Sequence, residues 1–203
     1  MSLDVHALRA AIARLEAAME QAFETLNAAD GALGDGDLGV TMARGMRAIG
    51  QLAPGLPDDL GQALMQCAQA FTKTSGSSYG TLMATGLIAM AKILKGRTMC
   101  DAAEVSALIA VARDAMQARG KAELGGKTVL DSLDAMAKAT AGLSQASDVA
   151  TAAAEAAAKA QIDMRGQLAT IGRARIFGEK TIGMDDPGML AMTAIAAAIA
   201  GKN

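Results

Sequence analysis

The residues best suited to chemistry lie in one short stretch, Asp30-Gly-Ala-Leu-Gly-Asp35-Gly-Asp37-Leu-Gly39-Val-Thr41-Met42. Three carboxylates fall within eight residues, and no Lys or Arg occurs between Asp30 and Met42. Gly36 permits a backbone tight enough for Asp35 and Asp37 to converge. Clustered like charges repel unless a cation sits between them. Carboxylate oxygens without His or Cys nearby suit a hard cation, Mg2+ or Ca2+. Cap and turn chemistry accounts for one or two of the acids and for the glycines, but not for all three acids. An EF-hand is excluded, because a loop starting at Asp35 places Met46 where a bidentate Glu is needed. Gly34-Asp-Gly36-Asp-Leu-Gly39 also fits the dinucleotide pattern G-x-G-x-x-G, which requires a preceding strand. Here the preceding segment has helical periodicity. Its acids would repel a phosphate bound directly, whereas a metal ion between acid and phosphate removes the conflict.

Three further clusters of Gly and polar residues follow. Thr72-Lys-Thr74-Ser75-Gly76-Ser77-Ser78-Tyr79-Gly80-Thr81 offers backbone N–H groups and hydroxyls before a helix, a suitable anion cradle. Gly120-Lys121-Ala-Glu-Leu-Gly125-Gly126-Lys127-Thr128 ends like a Walker A motif, but Lys121 stands where its first Gly is required. The segment Gly166–Gly188 contains Arg173, Arg175, Lys180 and Asp185-Asp186-Pro187-Gly188, and is the one long loop. Acids for metal, a Gly/Ser turn and cationic loops at helix ends are the parts phosphoryl transfer needs.

The elements that must position these clusters are helical. Alanine is abundant, the 203 residues include 3 Pro, and strand-type alternation is missing. Leu8, Ile12, Leu15, Met19, Phe23 and Leu26 predict a first helix over about residues 3–28. Further helices are predicted from Asp37 or Leu38 to Leu52, from Pro57-Asp58-Asp59 through Phe71, and over Tyr79–Leu94. A fifth is capped by Thr98 and reaches Arg119. A sixth carries Leu130, Leu133 and Met136, a seventh is capped by Ser147-Asp148, and the last is Met189–Ala200. Eight helices on short loops make sequential neighbours antiparallel. The Met and Leu stripes are core.

Composition narrows the function classes. The net charge of −2 argues against nucleic-acid or anionic-membrane surfaces, and the aromatic content of 2% leaves no base-stacking platform. One histidine, His6, and two cysteines, Cys67 and Cys100, cannot build a His-based metal site, a Ser-His-Asp triad or a disulfide framework. Met1-Ser2-Leu3-Asp4 does not open a signal peptide, and Met189–Ala200 is too short to span a bilayer. The expectation is a single soluble, cytoplasmic domain over residues 1–203.

The sequence resembles the L subunit of dihydroxyacetone kinases, the nucleotide-binding half of that enzyme family. The residues that carry the resemblance are Asp30 with Gly34–Met42, Thr74-Ser75-Gly76 with Tyr79-Gly80-Thr81, and Arg119–Glu123 with Gly126–Asp131. Gly172–Arg175, Gly178–Gly183 and Asp186-Pro187-Gly188 complete them, in the same order and spacing over essentially the whole chain. The resemblance implies an all-α, eight-helix antiparallel barrel with ATP or ADP at one end. It implies two Mg2+ ions held by Asp30, Asp35 and Asp37. It places Leu38, Gly39, Val40, Thr41, Thr74 and Ser75 near the phosphates, Gly120 and Val129 at the adenine pocket, and Arg173, Asp186, Pro187 and Gly188 in the closing loop. The ketose, a triose or a tetrose, is held covalently by a His on a separate K subunit, which agrees with the scarcity of His here. One branch of the family uses ATP directly; the other keeps ADP bound and receives phosphate from a phosphotransferase-system phosphocarrier. A homodimer is expected. The alternatives are a regulatory partner that docks a transcription factor and a purely structural helical bundle. Because His6 lies far in sequence from every cluster, His6→Ala is expected to leave the thermal midpoint and Mg·nucleotide affinity unchanged, measured by thermal melting and titration calorimetry.

Overall fold

The computed structural model describes residues 2–202. Among them, nine α-helices form: α1 (Val5–Gln21), α2 (Phe23–Leu33), α3 (Leu38–Leu52), α4 (Leu60–Thr74), α5 (Ser78–Ile93), α6 (Val105–Gly120), α7 (Val129–Thr140), α8 (Ala146–Met164) and α9 (Pro187–Ala200). The first two are one rod. Ala22 between them keeps right-handed backbone angles, and its N–H reaches Ala18 while its carbonyl accepts from Leu26, both at 2.9 Å. The eight rods pack as a closed ring: α1 on α3, α3 on α4, then each helix on the next to α9, and α9 back on α1. This is the expected all-α antiparallel barrel.

The caps explain where most helices start. Asp59 accepts from Gln62 N at 3.0 Å to begin α4, Ser77 from Gly80 N at 3.0 Å to begin α5, and Asp186 from Met189 N at 2.9 Å to begin α9. Thr128 and Asp131 form a capping box at α7. The ring encloses a core of Met19, Leu26, Met42, Met46, Phe71, Leu130, Met136, Ala157, Met192 and Ile195. Alanines on α8 let that helix approach closely: Ala153, Ala154 and Ala157 are all buried.

Four sequence expectations need correction. The first rod runs to Leu33, so Asp30 belongs to its last turn and not to a loop. Thr98 caps nothing; a capping box of Asp101 and Glu104 opens a short 3-10 turn into α6, because Glu104 is drawn to Arg97 at 2.6 and 2.8 Å. The Arg97 hydrogen bonds hold the Glu104 carboxyl down at about 2. Helix α8 starts from Gln145 without a side-chain cap, leaving Ser147 and Asp148 inside its first turn. A small antiparallel ribbon does exist, β1 (Ser2–Asp4) against β2 (Met99–Asp101), at the end of the ring where α1 begins.

Gly61 shows how tightly the rods pack. A Cβ there would lie 2.5 Å from Lys95 Cα and 2.6 Å from the Ala91 carbonyl oxygen, backbone atoms that cannot rotate away. Gly61→Ala gains roughly 1 kcal/mol of helix propensity. The overpacking cost, about 1–3 kcal/mol, is at its upper end against backbone. Urea unfolding should therefore show a net loss of about 1–2 kcal/mol for Gly61→Ala, while Gly55→Ala, with nothing within 4 Å, stays within about 0.5 kcal/mol.

Candidate functional site

Eight antiparallel rods place connections 34–37, 75–77, 121–128 and 165–186 at the same end of the ring. The N-termini of α3, α5, α7 and α9 all face that end with their positive partial charge, although side chains already take an N–H from each first turn.

The acid loop is shaped by its glycines. A Cβ on Gly34 would lie 2.5 Å from Asp30 Oδ1, so any other residue would displace that carboxylate. Gly36 takes φ +76°, and its backbone crosses close to Gly31. The Asp37 N–H donates to Asp30 Oδ2 at 2.9 Å. As a result Asp30, Asp35 and Asp37 each bring a carboxylate oxygen within 4.8 Å of the others. Asp37 stands at the N-cap of α3, yet its carboxylate makes no capping hydrogen bond among the described residues. Burial and the charges of Asp35 and Asp30 push its pKa up. The Arg173 guanidinium, hydrogen-bonded and ion-paired to Asp35, holds that carboxyl below the usual range. The start of α3 is clamped to the first rod: a Cβ on Gly39 would meet the Phe23 carbonyl oxygen at 2.2 Å, and Val40 N donates to Asn27 Oδ1 at 3.2 Å. Leu38 and Thr41 are buried, so Leu38 serves the core with its side chain and faces the site only through its backbone.

The Gly/Ser turn lies beside the start of α9. Thr74 turns its hydroxyl back onto its own helix, donating to the carbonyls of Ala70 and Phe71 at 3.2 and 3.1 Å. Ser75 is buried, 3.3 Å from the Ser77 hydroxyl, and Gly80 must lack a side chain because a Cβ would sit 1.8 Å from Ser75 Oγ. Tyr79 donates to the Gly188 carbonyl at 3.0 Å, joining α5 to α9. Burial pushes the Tyr79 phenol well up, so it remains a donor. Asp186 is pushed up by burial to about 6, against the pull of Met189 N–H, Gly188 N–H and Lys127.

The long loop contains a 3-10 run, Ala174–Thr181, and closes over the same end. Ala169 and Ala174 bury against Leu33, with Phe177 and Met184 around them. Arg165 forks onto Asp185 at 2.6 and 2.9 Å. Lys127 is buried and donates to the carbonyls of Arg165, Gln167 and Thr181. The structure thus gathers Asp30, Asp35, Asp37 and Arg173, and separately Tyr79, Asp186, Pro187 and Gly188. Gly120, at the exposed end of α6, and Val129, in the main core at the start of α7, lie on the third connection. That connection meets the long loop where Thr170 N donates to Gly126 O at 3.3 Å. Sequence reasoning misses Asn27, which lies in no motif. Tyr79 and Lys127 stand within the motifs, but their partners, the Gly188 carbonyl and the carbonyls of the long loop, leave no local signal.

An acid cluster facing helix N-termini under a cationic loop, on an eight-rod ring, is an arrangement suited to a divalent cation and an anion. Residues 32–201 match the DAK2 domain, so the chain belongs to the DAK2-domain family; Asp35 and Asp37 lie inside the match and Asp30 two residues before it. The chain is 31% identical over 188 residues to the ADP-binding subunit DhaL of the PEP-dependent dihydroxyacetone kinase of Escherichia coli, covering 86% of this chain and 88% of that one. It is 33% identical over 164 residues to the ADP-binding subunit DhaL of the PTS-dependent dihydroxyacetone kinase of Lactococcus lactis, covering 80% and 79%. It is 38% identical over 185 residues to the triokinase/FMN cyclase of Homo sapiens, covering 87% of this chain but 31% of that protein. Among solved structures, the native dihydroxyacetone kinase of C. freundii superposes with a TM-score of 0.76 at 26% identity, over 97% of this chain and 34% of that one.

Asp186 supplies a test of the electrostatics. A carboxyl near 6 in the native state and at 3.8 in the unfolded chain binds its proton more tightly when folded. Its contribution to stability is therefore present at acid pH and is lost as pH rises through 6. Asp186→Asn keeps the capping oxygen without the charge, so in urea melts the variant should gain stability relative to the parent between pH 4 and pH 7.

Proposed function

We propose that the chain is the nucleotide-binding subunit of a dihydroxyacetone, or other short-chain ketose, kinase, a single cytoplasmic domain over residues 1–203. The observation that carries this reading is the convergence of three carboxylates with Arg173 at the end of the ring where four helix N-termini meet. An all-oxygen, all-acid donor set fits Mg2+. Asp30, Asp35 and Asp37 would hold two such ions, which supply neutralisation of phosphate charge. At α3 the N–H groups of Leu38 and Gly39 face the phosphates of ATP or ADP, while Val40 and Thr41, whose own N–H groups are taken by Asn27 and by the Asp37 carbonyl, hold that turn in place. At the α4–α5 turn Thr74 and Ser75, whose N–H groups are spent on α4, offer their hydroxyls. Arg173 brings a planar cationic fork to the phosphates, and Asp186, Pro187 and Gly188 shape the wall opposite. Gly120 and Val129 form the adenine end. The long loop excludes water from the charges beneath it. Family membership and the two ADP-binding relatives matched over most of their length support the nucleotide assignment. Among the described residues, helices long and apolar enough to cross a membrane are absent.

The acceptor ketose is held by a His on a separate K subunit. His6, the chain's one histidine, is exposed at the start of α1, on the opposite end of the ring. A second reading, ADP retained as a cofactor and recharged by a phosphocarrier, is favoured by the names of the bacterial relatives, PEP- and PTS-dependent.

Asp35→Asn preserves shape and removes charge. It is expected to weaken Mg·ADP binding in calorimetry by about tenfold or more, equivalent to ~1.4 kcal/mol, without lowering the thermal midpoint. Unchanged affinity would contradict the metal assignment. The isolated chain with Mg·ATP and dihydroxyacetone is expected to form no phosphoketose until K subunit is added.

A further inference from the structure

Nζ of Lys127 is surrounded by three carbonyl oxygens, Thr181 at 2.6 Å and Arg165 and Gln167 at 3.1 Å each. An ammonium has three N–H donors, and here each has its own acceptor. Arg165 follows the last residue of α8, and Thr181 ends the 3-10 run. One side chain therefore draws together the two ends of a loop of about fifteen residues. Two further hydrogen bonds reinforce the neck, one within the backbone from Gly183 N to Arg165 O at 2.7 Å and one from Ala169 N to the Thr181 hydroxyl, Oγ1, at 3.0 Å. Lys127 reaches this position from a left-handed backbone, φ +60°, which side chains rarely adopt outside constrained sites.

The far part of the loop depends on this neck. Leu168, Ile176 and Ile182 are exposed, so apolar anchoring is confined to Ala169 and Ala174, with Phe177 and Met184, on Leu33 and to Ile171 on the main core, all on the neck side of or around the Arg173 turn. Arg173 itself is half exposed and follows Gly172 at φ +70°. Its place over Asp35 is set by the path of the loop and not by packing of its own side chain.

We propose that Lys127 is a positioning residue of the nucleotide site: by closing the neck of the loop it fixes Arg173 above the acid cluster, without touching the nucleotide. This rests on the proposed function. Ammonium and guanidinium act in series, so removing either should forfeit the same interaction.

The test is a double-mutant cycle on the full chain with Lys127→Met and Arg173→Ala, read by Mg·ADP calorimetry and by hydrogen exchange without nucleotide. Lys127→Met is expected to speed exchange of the Ala169 and Gly183 amides at least tenfold while amides of α3–α5 keep their protection. It should weaken Mg·ADP about tenfold in the parent and less than twofold in the Arg173→Ala background. Equal losses in both backgrounds, or an intact affinity with a loosened loop, would overturn the assignment. If Lys127→Met does not fold, Lys127→Gln, which retains one amide donor pair, is run through the same cycle with the same criteria. Failure of the parent chain to bind Mg·ADP overturns the proposed function itself; retained parent binding with additive losses overturns the role of Lys127 alone.

Discussion

An even number of antiparallel rods closed into a ring puts every second connection at the same end. The rest of the molecule depends on that constraint. Four stretches of chain separated by 30 or more residues become neighbours because of it, as do four helix N-termini. Partial positive charge from those termini then faces three carboxylates that are held together at a cost in mutual repulsion. Neither set of charges is comfortable alone. A divalent cation and a polyphosphate would make them complementary, which is the physical basis of the proposed site.

The carboxylates converge because three glycines leave them room. Gly34 makes space for the Asp30 carboxylate, Gly36 turns left-handed across Gly31, and Gly39 lets α3 approach the carbonyl of Phe23. The rigid clamp of α3 onto the first rod, through Asn27, sets where Asp37 stands. The loop above is anchored differently, by polar locks at its neck and by small apolar contacts at Leu33 and through Ile171. One half of the site is thus preset by packing, the other by hydrogen bonds that can exchange with water.

The rods were legible in the sequence because each carries a long stripe of apolar residues at helical spacing, as in Leu8 to Leu26. The acid cluster was legible because three unpartnered carboxylates in eight residues need an explanation. Helix ends were less so. Gly31 and Gly34 break the apolar pattern after Leu26, so periodicity ends the rod near residue 28 while the backbone stays helical to Leu33. Thr98 has the residue type of a cap, and nothing local reveals that Arg97 and Glu104 pair across the turn and move the start of the helix. Lys127 was illegible for a related reason. Its partners are three carbonyls from 38 to 54 residues away, and a carbonyl has no letter in the sequence.

The same even count sends both ends of the ring, the start of α1 and the finish of α9, to the face opposite the site. α9 packs directly against α1, and Arg14 of α1 donates to the carbonyl of Ala198 at 3.0 Å. Any module covalently joined at either terminus is therefore leashed at the wrong pole for the chemistry. To deliver a substrate it must span the height of a rod, about 21 Å along α9 and about 43 Å along the first rod, so a tether shorter than roughly six extended residues after α9, or roughly twelve before α1, would keep the two apart.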